Sequence, residues 1–303
     1  MNPWTPLVAA TFGWACSAVI SRALLVDGMN TWTLIPLRMG FALISLFIVM
    51  AFTRRFWTTD GLAWRLGGIL GVAAMAVPMV LMTLGLEDLP VSLGSLLIAL
   101  IPISTIAAAH FLVAGETFRA KSLPGLLIAL VGTGVLVGVG GESIAGVDDL
   151  WRGVGFTVAG VVVAGIGGAL TRRYALVVPG DKLVLPQFTI NTVVVVVLLP
   201  LLFDFEISSV EGADWLLLAV VGVLGSTVAF TAFLIAASVN PASRLALTGY
   251  SVPVLAVAMA VLFLDESLTL SIVVGAALII VGVVLTERAN KAHVPEPVAF
   301  GPG

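Results

Sequence analysis

Arg38 is the residue of this chain whose position points most directly to chemistry. It lies inside the apolar stretch WTLIPLRMGFALISLFIVM, where a cation is costly unless it is hydrated or paired. No Asp or Glu lies in the interior of this stretch or of the other long apolar stretches. Two interpretations stay open. The guanidinium reaches the membrane interface or a backbone carbonyl that Pro36 leaves free, or it faces a wet cavity and binds an anionic group such as a substrate carboxylate.

A second group of residues places polar or aromatic side chains in apolar surroundings. Trp14 and Tyr250 each offer a flat apolar surface with one polar atom, and Gln187 and Asn191 offer amides. Packing or hydrogen bonding between helices explains such residues as well as substrate contact does. With Ser17, which lies three residues after Trp14, they complete the candidate substrate-binding set: Trp14, Ser17, Arg38, Gln187, Asn191 and Tyr250.

His110 is the candidate for proton coupling, because the charge of an imidazole changes near neutral pH. An interfacial residue with a structural role is the alternative. The chain has no HExxH, no GxSxG, no phosphate-binding loop and no Cys/His cluster. The sequence therefore predicts no metal site, no cofactor and no enzymatic activity, and the net charge of −3 gives no sign of nucleic-acid binding.

Composition indicates the medium in which these residues must be positioned. Hydrophobic residues make up 60% of the chain and charged residues 10%, against about 25% charged in soluble domains. A helix that crosses the roughly 30 Å hydrocarbon layer needs about 20 apolar residues. The sequence predicts an all-α integral membrane protein with ten such helices, at about 5–25, 32–52, 64–86, 90–114, 122–140, 153–176, 183–203, 214–237, 241–264 and 269–287.

The same landmarks recur about 150 residues apart. The matched pairs are Glu116/Glu266, Gly125/Gly275, Gly132/Gly282, Pro36/Pro186, Pro90/Pro241, Pro102/Pro253 and Ser21-Arg22/Thr171-Arg172. Five helices in each copy, an odd number, place the second copy upside down relative to the first, as in inverted-repeat transporters. The predicted organisation is one membrane domain, with a first five-helix repeat at 1–140, a second at 141–288 and a flexible tail at 289–303.

Matched residues are expected to serve the scaffold, because both copies need them. The carboxylates Glu116 and Glu266, for example, are each predicted to complement the N-terminus of the helix that follows. Candidate site residues are unmatched: Trp14 corresponds to Ala164, Arg38 to Phe188, Asn191 to Phe41 and Tyr250 to Ala99.

Charge sorting predicts the orientation, since cytoplasmic segments are rich in Lys and Arg. With the N-terminus inside, the outer segments contain only Arg22 and Arg152. The cytoplasmic segments contain Arg54, Arg55, Arg65, Arg119, Lys121, Arg172, Arg173, Lys182, Arg244, Arg288 and Lys291. Both termini are therefore predicted to be cytoplasmic.

Several of these features together resemble the EamA family of the drug/metabolite transporter superfamily. They are the two copies of five helices, the Trp14-Ala15-Cys16-Ser17 stretch, Leu37-Arg38, and the spacings from Pro102 to Glu116 and from Pro253 to Glu266. The resemblance covers about residues 5–288. Family members typically carry Trp-Gly-x-Asn or Trp-Gly-x-Ser in the first helix, where this chain has Ala15 in place of Gly.

The resemblance implies a multi-pass protein of the bacterial inner membrane. It would move small organic molecules, often amino acids or related metabolites, usually outward. It also implies that the first four helices of each half line a central cavity near Trp14, Arg38, Asn191 and Tyr250, with the fifth and tenth helices peripheral. The expected partners are a small-molecule substrate and the lipid bilayer, and no oligomeric state is predicted.

The leading hypothesis is therefore a secondary transporter that works by alternating access through a central cavity. A membrane signalling or scaffold protein without transport is the alternative. A membrane-embedded enzyme is a further alternative, which would need a nucleophile, a metal or an acid/base pair that the sequence does not display.

Overall fold

A computed structural model describes residues 4–53, 60–114, 120–136, 149–239 and 242–291. The first copy contains α1 (Trp4–Val26), α2 (Thr31–Thr53), α3 (Gly61–Asp88), α4 (Val91–Leu112) and α5 (Leu123–Gly134). The second contains α6 (Leu150–Ala175), α7 (Gly180–Thr192, continued by Val193–Leu198 and Leu199–Leu202), α8 (Gly212–Gly222, continued by Val223–Val228 and Ala229–Val239), α9 (Ala242–Phe263) and α10 (Leu270–Lys291).

Seven helices of the described chain, α1 to α4 and α6 to α8, are long and apolar enough to cross a membrane. Shorter apolar helical segments overlap the remaining three elements, at Ala120–Gly134, Ser251–Phe263 and Leu270–Thr286. The prediction of an all-helical protein with membrane-length helices is confirmed for the described residues. The number of ten crossings stays a prediction.

Local signals in the sequence set several helix ends. Asp60 precedes α3 and accepts a hydrogen bond from the backbone N–H of Ala63 at 2.8 Å, which satisfies one donor of the first turn. Glu211 and Asp214 form a capping box at the start of α8. Gly28 follows α1 with φ of +103°, a conformation that only glycine adopts without strain, and so allows the short turn into α2.

Helices α5 and α10 pack closely along glycine residues that occupy equivalent positions in the two copies. A Cβ atom on Gly282 would lie 2.5 Å from the carbonyl oxygen of Gly125, and one on Gly132 would lie 2.9 Å from that of Gly275. Residue numbers rise along one helix as they fall along the other, so the two helices are antiparallel. Antiparallel packing of equivalent helices is the arrangement that an inverted repeat predicts.

The other helix contacts follow the same exchange of copies. Helix α3 packs against α6 and α7. Its equivalent in the second copy, α8, packs against their equivalents, α1 and α2. Helix α4 packs against α6 as α9 packs against α1. Wider π-helical turns occur at Gly71–Ala76 in α3 and at the equivalent Val223–Val228 in α8, whereas the π-helical turn Val193–Leu198 of α7 has no counterpart in the continuous α-helix α2.

The predicted ends of the copies fall mostly outside the described residues. Helix α10 extends to Lys291, so the first residues of the predicted tail at 289–303 are helical. The rest of that tail, and most of the connection after residue 140, lie outside the described part of the chain.

Candidate functional site

The Arg38 guanidinium lies where α1, α2 and α8 meet. Its Nη2 donates to Ser17 Oγ at 3.0 Å and lies 3.5 Å from Ser226 Oγ, and its Nη1 donates to Ser21 Oγ at 3.3 Å. Its Nε is buried without a hydrogen-bond partner. The described partners are thus serine hydroxyls from both copies, and neither of the two sequence interpretations anticipated them.

Small residues on α8 allow this close approach. A Cβ atom on Gly225 would lie 2.6 Å from Ser17 Cβ, and one on Gly222 would overlap the carbonyl oxygen of Arg38. Because neither glycine has a side chain, α8 packs directly on the backbones of α1 and α2. This contact brings Ser226 of the second copy to a cation of the first.

The charge of Arg38 is not neutralised within the described residues. Described ion pairs join Arg152 to Asp88 and Asp149, and Lys182 to Asp60, and none reaches Arg38. Serine hydroxyls accept hydrogen bonds but carry no charge. A partly buried cation in this setting loses hydration without gaining a counter-ion, so an anion that enters gains a charge-assisted hydrogen bond.

An aromatic pair lies on the same face of α1 as the serines. Trp14, Ser17 and Ser21 are spaced by three and four residues, which places them on one helix face. The rings of Trp14 and Phe233 of α8 have centroids 5.3 Å apart and are tilted by 51°. From Trp14 to Ser21 the axis of α1 rises about 10 Å. An apolar end and a cationic end therefore lie within the length of a small amphipathic molecule.

Arg38 does not line either of two cavities in the described chain, one beside Phe188 and one beside Trp215. The larger one, about 330 Å³, is an apolar groove between α2, α7 and α8 whose lining includes Leu37, Gly40 and Trp215. Leu37 precedes Arg38 directly in α2, yet the guanidinium points towards α1 and α8.

Gln187 and Asn191 lie at a different contact, between α7 and α3. Their backbones pack against Gly67 and Gly71, where a Cβ atom on Gly71 would lie 2.6 Å from the Gln187 carbonyl oxygen. Gln187 is 9% exposed and Asn191 is completely buried. Neither Nδ2 nor Oδ1 of Asn191 has a hydrogen-bond partner among the described residues. No described hydrogen bond joins either amide to Arg38, and their part in a substrate site stays a prediction.

Asn191→Leu is expected to raise the melting temperature of the detergent-solubilised protein. A buried polar group without a partner costs about 1–3 kcal/mol, and leucine has a similar size without that cost. Thr192→Val, which removes one buried hydroxyl without a described partner, should give a smaller increase. The melting temperatures are measured by tryptophan fluorescence. A lower value for Asn191→Leu than for the unmodified protein would mean that the amide is hydrogen-bonded in the folded protein.

The two remaining candidates are not part of the described group. The side chain of Tyr250 lies outside the described residues. His110 is exposed near the end of α4, with its ring centroid 4.8 Å from that of Phe111. Helices α2 and α4 both begin at the predicted outer face. His110 lies 19 residues after Val91, about 28 Å from that end of α4, whereas Arg38 lies about 10 Å from that end of α2. Proton coupling through His110 stays a prediction.

Sequence reasoning missed three members of the group: Ser21, Ser226 and Phe233. Ser21 was assigned to the scaffold, because it matches Thr171 in the other copy. Hydroxyls such as Ser226 and Thr227 commonly bond their own helix, yet Thr227 Oγ1 donates to the carbonyl oxygen of Ala42 in α2 at 2.8 Å. A cluster of hydroxyls at equivalent depths in neighbouring helices is the signal that could have found the two serines.

Groups of three or more His, Cys, Asp or Glu side chains that could hold a metal ion do not occur among the described residues. The chemistry available at Arg38 is reversible binding of an anion by a fixed cation and hydroxyl groups.

Comparison with known proteins finds the same two copies. The model of the EamA-like transporter family matches residues 6–138 and again residues 151–288. A crystal structure matches with a TM-score of 0.67 over 96% of this chain and 98% of that chain, at 19% sequence identity, which shows a shared fold. A search of curated proteins gave no significant match.

The two matched segments coincide with the two copies described above, and together they cover most of the chain. Members of this family are multi-pass membrane transporters and not enzymes, which implies a small-molecule substrate and a bilayer around the helices. The chain belongs to the EamA-like transporter family of the drug/metabolite transporter superfamily.

Proposed function

We propose that this protein is a secondary transporter that exports small amphipathic metabolites with a carboxylate, such as amino acids or related compounds. The observation that carries the proposal is the Arg38 guanidinium, which contacts hydroxyls of both copies and has no described counter-ion. A cation at the contact between two inverted copies can bind an anion from either side as the copies move.

The substrate class follows from the two ends of the group. Arg38, Ser17, Ser21 and Ser226 can together hold a carboxylate, and the unpartnered Nε leaves a donor free for a second oxygen. Trp14 and Phe233 offer an apolar surface at the other end. A molecule with both features satisfies the cation and covers the rings, whereas a purely apolar molecule leaves the charge unpaired.

The mechanism we propose is alternating access. The contact between Arg38 and Ser226 is long, at 3.5 Å, and joins the copies, so it can open without loss of a strong bond. Ten membrane crossings, cytoplasmic termini and a location in the bacterial inner membrane complete the proposal. The distribution of basic residues supports the orientation.

Flux into proteoliposomes tests the proposal. We expect counterflow of apolar amino acids in vesicles that contain the protein, and none of the corresponding amines, which lack the carboxylate. Vesicles without protein correct for diffusion of the amines through lipid. Equal protein-dependent flux of acid and amine would remove the carboxylate from recognition, and no flux of any acid above empty vesicles would contradict transport of this class.

A further inference from the structure

The turn between α3 and α4 is tied to the second copy by an ion pair at the predicted outer face. Arg152, near the start of α6, donates from Nε to Asp88 Oδ2 at 2.9 Å and from Nη2 to Asp88 Oδ1 at 2.6 Å. The Asp88 side chain is 7% exposed and that of Arg152 is 53% exposed. The bidentate geometry and the burial of the carboxylate distinguish this pair from an ordinary surface contact.

Glu266, which follows α9, ties the same turn to the second copy at another point. Its Oε1 accepts from the backbone N–H of Val91 at 2.6 Å and its Oε2 from that of Ser92 at 3.0 Å. These N–H groups belong to the first turn of α4 and have no partner within their own helix. The expectation that Glu266 complements the following helix, α10, is therefore wrong, because its carboxylate caps α4.

Contacts within the first copy hold the turn itself. Arg22 Nη1 donates to the carbonyl oxygens of Leu86 and Glu87, both at 2.6 Å, where α3 ends. The Glu87 carboxylate accepts from the backbone N–H of Thr31 at 3.3 Å. These contacts tie the end of α3 to α1 and α2. Asp88 and Glu266 add polar contacts to the second copy, beside the close packing of Gly153 of α6 on Asp88 and Leu89. We name Asp88, Arg152, Glu266 and the first turn of α4 the clasp.

Only some residues of the clasp have equivalents at the opposite face. Glu266 is matched by Glu116, so the sequence provides a second carboxylate of this kind. Asp88, by contrast, corresponds to Val239, and Arg152 corresponds to the uncharged Asn2. The described residues of the opposite face include the pair of Lys182 and Asp60, at 3.7 Å with both side chains exposed, a geometry that contributes little.

We propose that the Asp88–Arg152 ion pair biases the empty protein towards a conformation that is closed at the predicted outer face. Two inverted copies would otherwise give nearly equivalent closures at the two faces, and this ion pair breaks the balance. The inference rests on the proposed transport function: a carrier that is closed at the outer face when empty receives its cargo at the cytoplasmic face, as an exporter must.

Hydrogen–deuterium exchange of the purified full-length protein, without substrate, tests the bias. The peptide that contains Val91 and Ser92 reports on the clasp, because Glu266 protects these amides. Asp88→Asn and Arg152→Gln should each raise its exchange rate by about 2- to 5-fold, as expected for the loss of one partly exposed ion pair. Glu266→Ala gives the rate of the fully released turn.

Asp149→Asn is the matched control. Asp149 also contacts Arg152, at 3.6 Å, but lies in the same copy, so its loss removes an equal charge without separating the copies. The exchanged pair Asp88→Arg with Arg152→Asp should return exchange to the level of the unmodified protein, which excludes misfolding of the single variants. Single variants that exchange like Asp149→Asn, or an exchanged pair that stays as fast as the single variants, would overturn the proposal.

The two proposals fail separately in this experiment. Exchange is measured without substrate. Faster exchange of the Val91–Ser92 peptide in the Asp88 and Arg152 variants, together with no carboxylate flux in the unmodified protein, would support the clasp and reject the transport function. Normal carboxylate flux together with unchanged exchange in all Asp88 and Arg152 variants would retain transport and reject the clasp.

Discussion

Arg38→Gln is expected to reduce protein-dependent carboxylate flux by about 10- to 100-fold, because a hydrogen bond to a charged group contributes about 1.5–3 kcal/mol. The same substitution should leave the melting temperature unchanged or raise it. The guanidinium is partly buried and has no described counter-ion, and replacing such a charge by a neutral side chain of similar size removes a desolvation cost. Loss of flux with retained stability distinguishes a binding residue from a structural one.

Two further variants sharpen this test. Arg38→Lys keeps the charge but loses the planar fork, so it should retain part of the flux and bind the carboxylate less tightly. Arg65→Gln removes an equal charge at an exposed position of α3 and should leave flux unchanged. Full flux in Arg38→Gln would exclude Arg38 from recognition, and a large fall in melting temperature would indicate that its serine contacts mainly stabilise the helix packing.

Gly132→Ala is expected to destabilise the protein by about 1–3 kcal/mol, the usual cost of overpacking a filled contact. The added methyl group would lie 2.7 Å from Leu278 Cβ and 2.8 Å from the backbone nitrogen of Ile279. The backbone of α10 cannot turn aside as a flexible side chain could. The helices α5 and α10 must therefore separate, and the melting temperature measured by size-exclusion chromatography after heating should fall.

Gly134→Ala, two residues later in the same helix, is the matched control. A methyl group there meets nothing within 4 Å, and alanine favours a helix over glycine by about 1 kcal/mol. Its melting temperature should be unchanged or higher. Equal effects of the two substitutions would show that helix propensity, and not the contact with α10, determines the result.

The sequence alone determined the class of protein and much of its symmetry. Long apolar segments could be recognised because lipid excludes charge from every exposed helix face, a constraint that acts on each segment independently. The paired glycines Gly132 and Gly282 were visible as matched landmarks, because both copies need the same close contact. Arg38 was recognised for the same local reason, as a cation in an apolar segment.

Only the tertiary structure decided which residues meet. Ser226 lies 188 residues from Arg38 and Glu266 lies 175 residues from Val91, and such contacts depend on which helix faces pack together. A helix in lipid is apolar on all sides, so its sequence carries little information about the face that will be covered. For this reason the serine partners of Arg38 were not predicted, and Glu266 was assigned to the wrong helix.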